Sequence, residues 1–238
     1  MRKKNNDEIL AEKWLEHMGF QSIVYEPDGN IPPDFLVDKR IAVEVRRLNQ
    51  NSVNNDGKSK GLEEEAIPLW QKLENLLESF GPPVSGRSWF VGMHFERPLP
   101  SWQKLKPELE KFIQSLMVAQ PNQSLTYKLL ESFELDIIPA SRPLKTMFSL
   151  GACSDGDSGG WVLGLLEKNL KLITPEKYKK IEKYKSKYKE WWLVLPNYID
   201  YGMNEYDVEQ FNTHIKFQHD WDKVVIFNPL DVSNWMDF

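Results

Sequence analysis

Two carboxylates and a cation fall close together between Pro32 and Arg47: Asp34, Glu44 and, two residues further on, Arg46. Carboxylates brought side by side repel one another unless a proton or a cation sits between them. Oxygen ligands of this kind suit Mg2+ or Mn2+. A divalent ion held there activates water and neutralises charge developing on a phosphodiester. A cation in the place of Arg46 then holds the phosphate or orients the attacking water. All of this requires Asp34 and Glu44 to share one face of whatever element carries them.

The segment reads as two strands, Asp34 to Val37 and Ile41 to Leu48, around a turn at Asp38-Lys39-Arg40. Side chains alternate along a strand, so Ile41, Val43 and Val45 point one way and Ala42, Glu44 and Arg46 the other. A two-residue turn pairs Leu36 with Ile41 and sends Asp34 to the face away from Glu44. A three-residue turn pairs Val37 with Ile41 and Asp34 with Glu44. It also gathers Phe35, Val37, Ile41, Val43 and Val45 on one apolar face, so burial favours this second register. The left-handed position of such a turn falls on Arg40 in this reading, at a small cost.

Upstream, Asp7 to Met18 carries Ile9, Leu10, Trp14, Leu15 and Met18 at helical spacing, capped at Asn6 or Asp7 and ended by Gly19. Phe20 to Tyr25 is a short strand. Downstream, Asn49 to Gly61 is polar and reads as a mobile loop. Helices are expected over Gly61–Phe80 and Trp102–Val118, and strands over Trp89–Phe95, Phe133–Ile138, Thr146–Leu150, Trp191–Leu195 and Lys223–Phe227. Thr174-Pro175 reads as a helix start, threonine capping and proline in the first turn, with the helix running to about Lys189. With no repeat and no clear linker, one α/β domain over residues 1–238, a mixed sheet flanked by helices, is the expected architecture.

Pro33-Asp34 followed by Glu44-Val45-Arg46 on the next strand resembles the PD-(D/E)xK signature of restriction-endonuclease-like nucleases. Those proteins carry an acidic residue on a preceding helix, upstream of a Gly-aromatic pair. Glu8, ahead of Gly19-Phe20, matches that position, with Glu12 its nearest competitor. The resemblance covers about residues 5 to 80. It implies the family's fold, Asp34, Glu44 and the Val45 carbonyl as ligands of Mg2+ or Mn2+, and Glu8 at a second metal or a metal-bound water. Its implied activity is cleavage of nucleic acid, DNA before RNA, and it admits a homodimer. Arg46 stands where the family has lysine. Arginine stays protonated and cannot act as a base, so a catalytically silent module that binds nucleic acid or a protein stays open beside an active endodeoxyribonuclease.

Residues 168 to 189 hold nine lysines against two glutamates. Tyr178, Ile181, Tyr184 and Tyr188 recur at helical spacing and can pack on a sheet. Lys180 and Lys183 flank that stripe and, with Arg46 and Arg47, are the expected phosphate contacts. One lysine of this run is also a candidate to replace the missing motif lysine from a neighbouring element. A solvated helix face is the plainer account of the run. Gly156-Asp157-Ser158-Gly159-Gly160 copies the string around a trypsin-like serine nucleophile, but the chain lacks the all-β pattern, disulfides and histidine motif of such proteases. His214 and His219 are five apart with no cysteine partner, a poor zinc spacing.

The formal net charge of −5 argues against a protein that coats nucleic acid non-specifically and leaves room for an enzyme with a local basic patch. A single cysteine, Cys153, cannot staple the fold and fits a reducing compartment. The N-terminal residues show no apolar signal core, and no stretch reaches the ~18 apolar residues of a membrane span. These features point to the cytoplasm and away from membranes.

Overall fold

The computed structural model describes residues 3–53, 59–215 and 217–238. The chain opens with helix α1 (Asn6–His17) and strands β1 (Ile23–Tyr25), β2 (Phe35–Val37), β3 (Ile41–Val45), β4 (Asn51–Val53) and β5 (Ser59–Gly61). It continues through α2 (Glu63–Glu78), β6 (Trp89–Phe95), α3 (Trp102–Ala119), β7 (Leu125–Leu130), β8 (Phe133–Pro139) and β9 (Phe148–Asp155). It ends with α4 (Val162–Ile181), β10 (Glu190–Pro196), α5 (Glu205–His214), β11 (Lys223–Asn228) and β12 (Asp231–Asp237). Contacts group these elements into two compact units. The first joins Met1–Gly61 to Gly160–Phe238, and the second, Leu62–Gly159, is inserted between them. The sequence shows no linker where one passes into the other.

The first unit is an α/β sheet in the order β1-β2-β3-β10-β11-β12. β3, β10 and β11 are parallel at its centre, and the flanking pairs are antiparallel. All five residues of β3 are buried, as expected of a strand covered on both faces. One face packs Phe35, Val37, Ile41 and Val43 under Ala11, Trp14 and Leu15 of α1. The other packs Ala42, Leu193 and Val224 under Leu166, Leu170 and Ile173 of α4. Asn5 caps α1: its side chain accepts from the Glu8 amide, and the Glu8 carboxylate accepts from the Asn5 amide.

The second unit is a four-stranded sheet, β7-β8-β6-β9, with α2 and α3 burying its apolar side around Trp89, Phe133 and Phe148. The string at residues 156–160 closes a turn here: Asp155 and Asp157 hold the guanidinium of Arg97, which Glu65 also engages.

Several sequence expectations need correcting. α4 does not begin at Thr174-Pro175 but runs through them from Val162. Leu163, Leu166, Leu170 and Ile173 bury the earlier turns, and the Thr174 hydroxyl donates to the Leu170 carbonyl at 2.8 Å. That burial offsets the ~3 kcal/mol a proline costs inside a helix. α4 ends at Ile181, and a 3-10 turn carries the chain to Lys187 instead of one helix reaching Lys189. The polar stretch from Asn49 contains the β4–β5 pair, while residues 54–58 lie outside the described residues. β9 extends through Cys153 to Asp155, paired along β6, beyond the strand end expected at Leu150. β7, α5 and β12 are additions, since their apolar periodicity is weak.

The β2–β3 turn is closed by the Arg40 amide on the Val37 carbonyl at 3.1 Å. Its left-handed residues are Asp38 and Lys39, at φ 46° and 60°, not Arg40. Asp38 earns its place through its carboxylate, which accepts the Ser22 amide at 3.1 Å. Lys39 has no such compensation. Lys39→Gly should therefore raise stability by about 1 kcal/mol, read as a higher denaturation midpoint.

Candidate metal and phosphate site

β2 and β3 pair Phe35 with Val43, Leu36 with Ala42 and Val37 with Ile41. Extended by one step, this register sets Asp34 opposite Glu44 on the face that α4 covers. It is the register expected from burial of the apolar set. The ladder stops at Phe35, and the Asp34 carboxylate takes over as acceptor of the Val45 amide at 2.8 Å. The amide and carbonyl of one strand residue point to the same side, so the Val45 carbonyl also leaves β3 toward Asp34. Glu26 fixes the Asp34 backbone from the other side, its amide donating to the Asp34 carbonyl at 2.8 Å.

Glu44 is 4% exposed. Its carboxylate accepts from the Lys177 ammonium on α4 at 2.9 Å, and the lysine side chain keeps 16% of its surface in solvent. The pair is thus buried on the sheet side and wet on the helix side. Asp34 feels the resulting balance. Burial pushes its carboxyl up to about 6, the Glu44 charge adds to the rise, Lys177 and the Val45 amide oppose it, and Glu8 adds a smaller upward push. Burial first and the Glu44 charge second disfavour the ionised form of Asp34, so a cation beside the pair would be stabilising there. The donor set of two carboxylates and one backbone carbonyl fits a hard divalent cation.

Glu8 reaches this place through its field. It is 2% exposed, and its carboxylate accepts from the Tyr25 hydroxyl at 3.0 Å and the Asn5 amide at 2.7 Å. Among the described residues no three His, Cys, Asp or Glu side chains gather into a ready-made metal cage. Arg46 follows Glu44 at the end of β3, its amide on the Val194 carbonyl at 3.2 Å. Its charge reaches Glu176, the residue before Lys177. Burial pushes Glu176 up, but Ser59, Lys180 and Arg46 together hold it below the usual carboxylate range. Arg47 turns the other way: it clamps Asp7 at 3.1 Å and lies over the Tyr198 ring at 4.4 Å.

The lysine run is divided among partners. Lys180 pairs with Glu176 at 3.0 Å, Lys185 bonds the Tyr178 hydroxyl and Lys187 pairs with Asp28. Lys183 lies over the Tyr184 ring at 4.8 Å. Tyr178, Ile181, Tyr184 and Tyr188 all join the core on the α4 side, although Tyr184 and Tyr188 do so from the 3-10 turn and the residue after it and not from a continued helix. The residue that sequence reasoning passed over is Lys177. It stands just after Thr174-Pro175-Glu176, and reading that string as a helix start leaves its facing undetermined. His214 is exposed at the end of α5, away from any metal grouping among the described residues.

No protein family, curated protein or solved structure matches this chain.

Two measurements test the electrostatics. Asp34 carries a raised carboxyl, so its contribution to stability is complete below the ordinary value near 4 and is lost as pH rises through about 6. Wild type should therefore lose stability against Asp34→Asn across that window in parallel denaturant titrations. Lys177→Met strands a buried carboxylate and should cost about 3 kcal/mol. Adding Glu44→Gln should recover most of that loss, a non-additivity that a double-mutant cycle reads directly.

Proposed function

We propose that this protein is a divalent-metal-dependent nuclease of restriction-endonuclease-like fold that hydrolyses phosphodiester bonds in DNA. The observation that carries this reading is the pairing of Asp34 with Glu44 on one face, with a carboxyl raised to about 6 and a lysine delivered to it from another element. The mixed α/β sheet with helices on both faces is compatible with that fold.

In this reading Asp34, Glu44 and the Val45 carbonyl hold Mg2+ or Mn2+, with Glu8 behind them. The ion, when bound, supplies Lewis-acid polarisation of the scissile phosphate and charge neutralisation. Lys177 stands in for the motif lysine: released from part of its contact with Glu44, its ammonium donates to the attacking water and orients it. Arg46 supplies a planar guanidinium that binds a non-bridging phosphate oxygen. Lys180 and Lys183 extend the positive face along the backbone. Arg47 serves instead to tie α1 to the end of β3. A two-fold homodimer would carry two such sites.

A non-catalytic module that binds nucleic acid or a protein is the second reading. It is favoured by the same Glu44–Lys177 pair, which already neutralises one proposed ligand, and by arginine at position 46.

Metal binding must displace the Asp34 proton. Mn2+ should therefore raise the Tm of the wild type clearly above about pH 7 and little below about pH 5. Asp34→Ala and Glu44→Ala should lose that shift. Plasmid nicking in Mg2+ or Mn2+ should vanish in both variants and fall at least ~100-fold in Lys177→Ala. Salt-sensitive DNA binding with neither metal shift nor nicking would transfer the protein to the second reading.

A further inference from the structure

β3, β10 and β11 run parallel, and their carboxyl ends meet at the edge where β3 delivers Glu44 to Arg47. The Leu48 amide donates to the Pro196 carbonyl at 2.9 Å and the Tyr198 amide to the Leu48 carbonyl at 2.8 Å. These bonds place the turn that follows β10 about 13 Å beyond Glu44, at roughly 3.3 Å per extended residue. That turn, Asn197 to Gly202, is braced from inside. Buried Asn197 donates to the Asp200 carboxylate at 2.5 Å and accepts the Ile199 amide at 3.0 Å, and Asp200 accepts the Gly202 amide at 3.0 Å. Gly202 sits at φ 126°, a backbone conformation that side-chain-bearing residues rarely adopt.

The bracing holds Tyr201 in the left-handed region, φ 57°, with its side chain 47% exposed. Glycine or asparagine occupies such a position at lower cost. The Tyr201 ring stands edge-on to Tyr198, centroids 5.8 Å apart at 76°. Tyr198 is itself held by Arg47, whose guanidinium lies 4.4 Å over its ring. An aromatic side chain is thus held out into solvent, with the Arg47–Asp7 pair behind its supporting ring, at the strand ends where α/β sheets bind ligands.

We infer that Tyr201, propped by Tyr198, is a stacking subsite for an unpaired nucleobase, so that the preferred substrate is single-stranded or frayed nucleic acid. This deepens the nuclease reading and rests on it. Every base offers a π face, and stacking on an aromatic ring tolerates any sequence. A continuous duplex keeps its bases stacked on each other and offers Tyr201 nothing to cover.

The test uses the full chain, a short fluorescein-labelled DNA strand and the duplex of the same sequence, with Tyr201→Ala, Tyr201→Phe and Tyr201→Gly. The wild type should bind the single strand more tightly than the duplex. Tyr201→Ala and Tyr201→Gly should bind it at least ~5-fold more weakly, the lower end of the effect of removing one stacking ring. Tyr201→Phe should retain wild-type affinity. Tyr201→Gly should match or exceed the wild-type Tm, which separates lost stacking from lost folding. Equal affinity of Tyr201→Gly and wild type, or equal wild-type affinity for strand and duplex, overturns the subsite. Metal-dependent nicking that persists in that case leaves the nuclease reading standing. Absence of both nicking and DNA binding overturns the two together.

Discussion

A carboxylate at the centre of a parallel sheet has to be met by a positive charge, and much of the first unit is arranged to meet the one on Glu44. β3 is flanked by β2 and β10 and covered on both faces, so Glu44 has no route to bulk water along its own strand. Removing an ion from water without a partner costs several kcal/mol. Lys177 answers that cost only because α4 continues through Pro175, and α4 continues because its earlier turns are seated in the sheet's apolar face. The packing of Leu163, Leu166 and Leu170 therefore sets an electrostatic result about two to four turns further along the helix.

The division of positive charge follows from the same economy. Nine lysines in a short span suggest an open basic face, yet Lys177, Lys180, Lys185 and Lys187 each engage a partner. In a chain with net charge −5, such pairs hold helix, strand and turn together and leave a narrower positive surface than the sequence suggests. The exposed pairs are individually weak. Lys177 with Glu44 differs because it is largely out of water.

How much of this was legible in the sequence depended on how local the determining physics was. The β2–β3 register followed from alternation alone: a one-residue slip would have exposed Phe35 and Val37, and the structure keeps both fully buried. The α1 helix followed from its apolar spacing, but its cap is Asn5 and not Asn6 or Asp7, because the reciprocal bonds between Asn5 and Glu8 decide the start. Thr174-Pro175 misled because its local preference for a helix start was outweighed by burial of turns that precede it. Lys177 was invisible for the same reason, since its partner lies 133 residues away in the chain. The turn after β10 carried a Gly and two tyrosines without periodicity, and its shape comes from Asn197 and Asp200 bonding each other and the turn's own amides.

The insertion of residues 62–159 has a kinetic corollary. Closing a loop of this length by an unstructured chain carries an entropy that grows with the logarithm of its length. The inserted unit has a core made wholly of its own residues. If it collapses first, β3 has a much shorter effective gap to close to reach β10. During synthesis β10, and with it Lys177 on α4, emerges after residues 62–159, so the Asp34–Glu44 face can be completed only once a segment that supplies none of its side chains has been made.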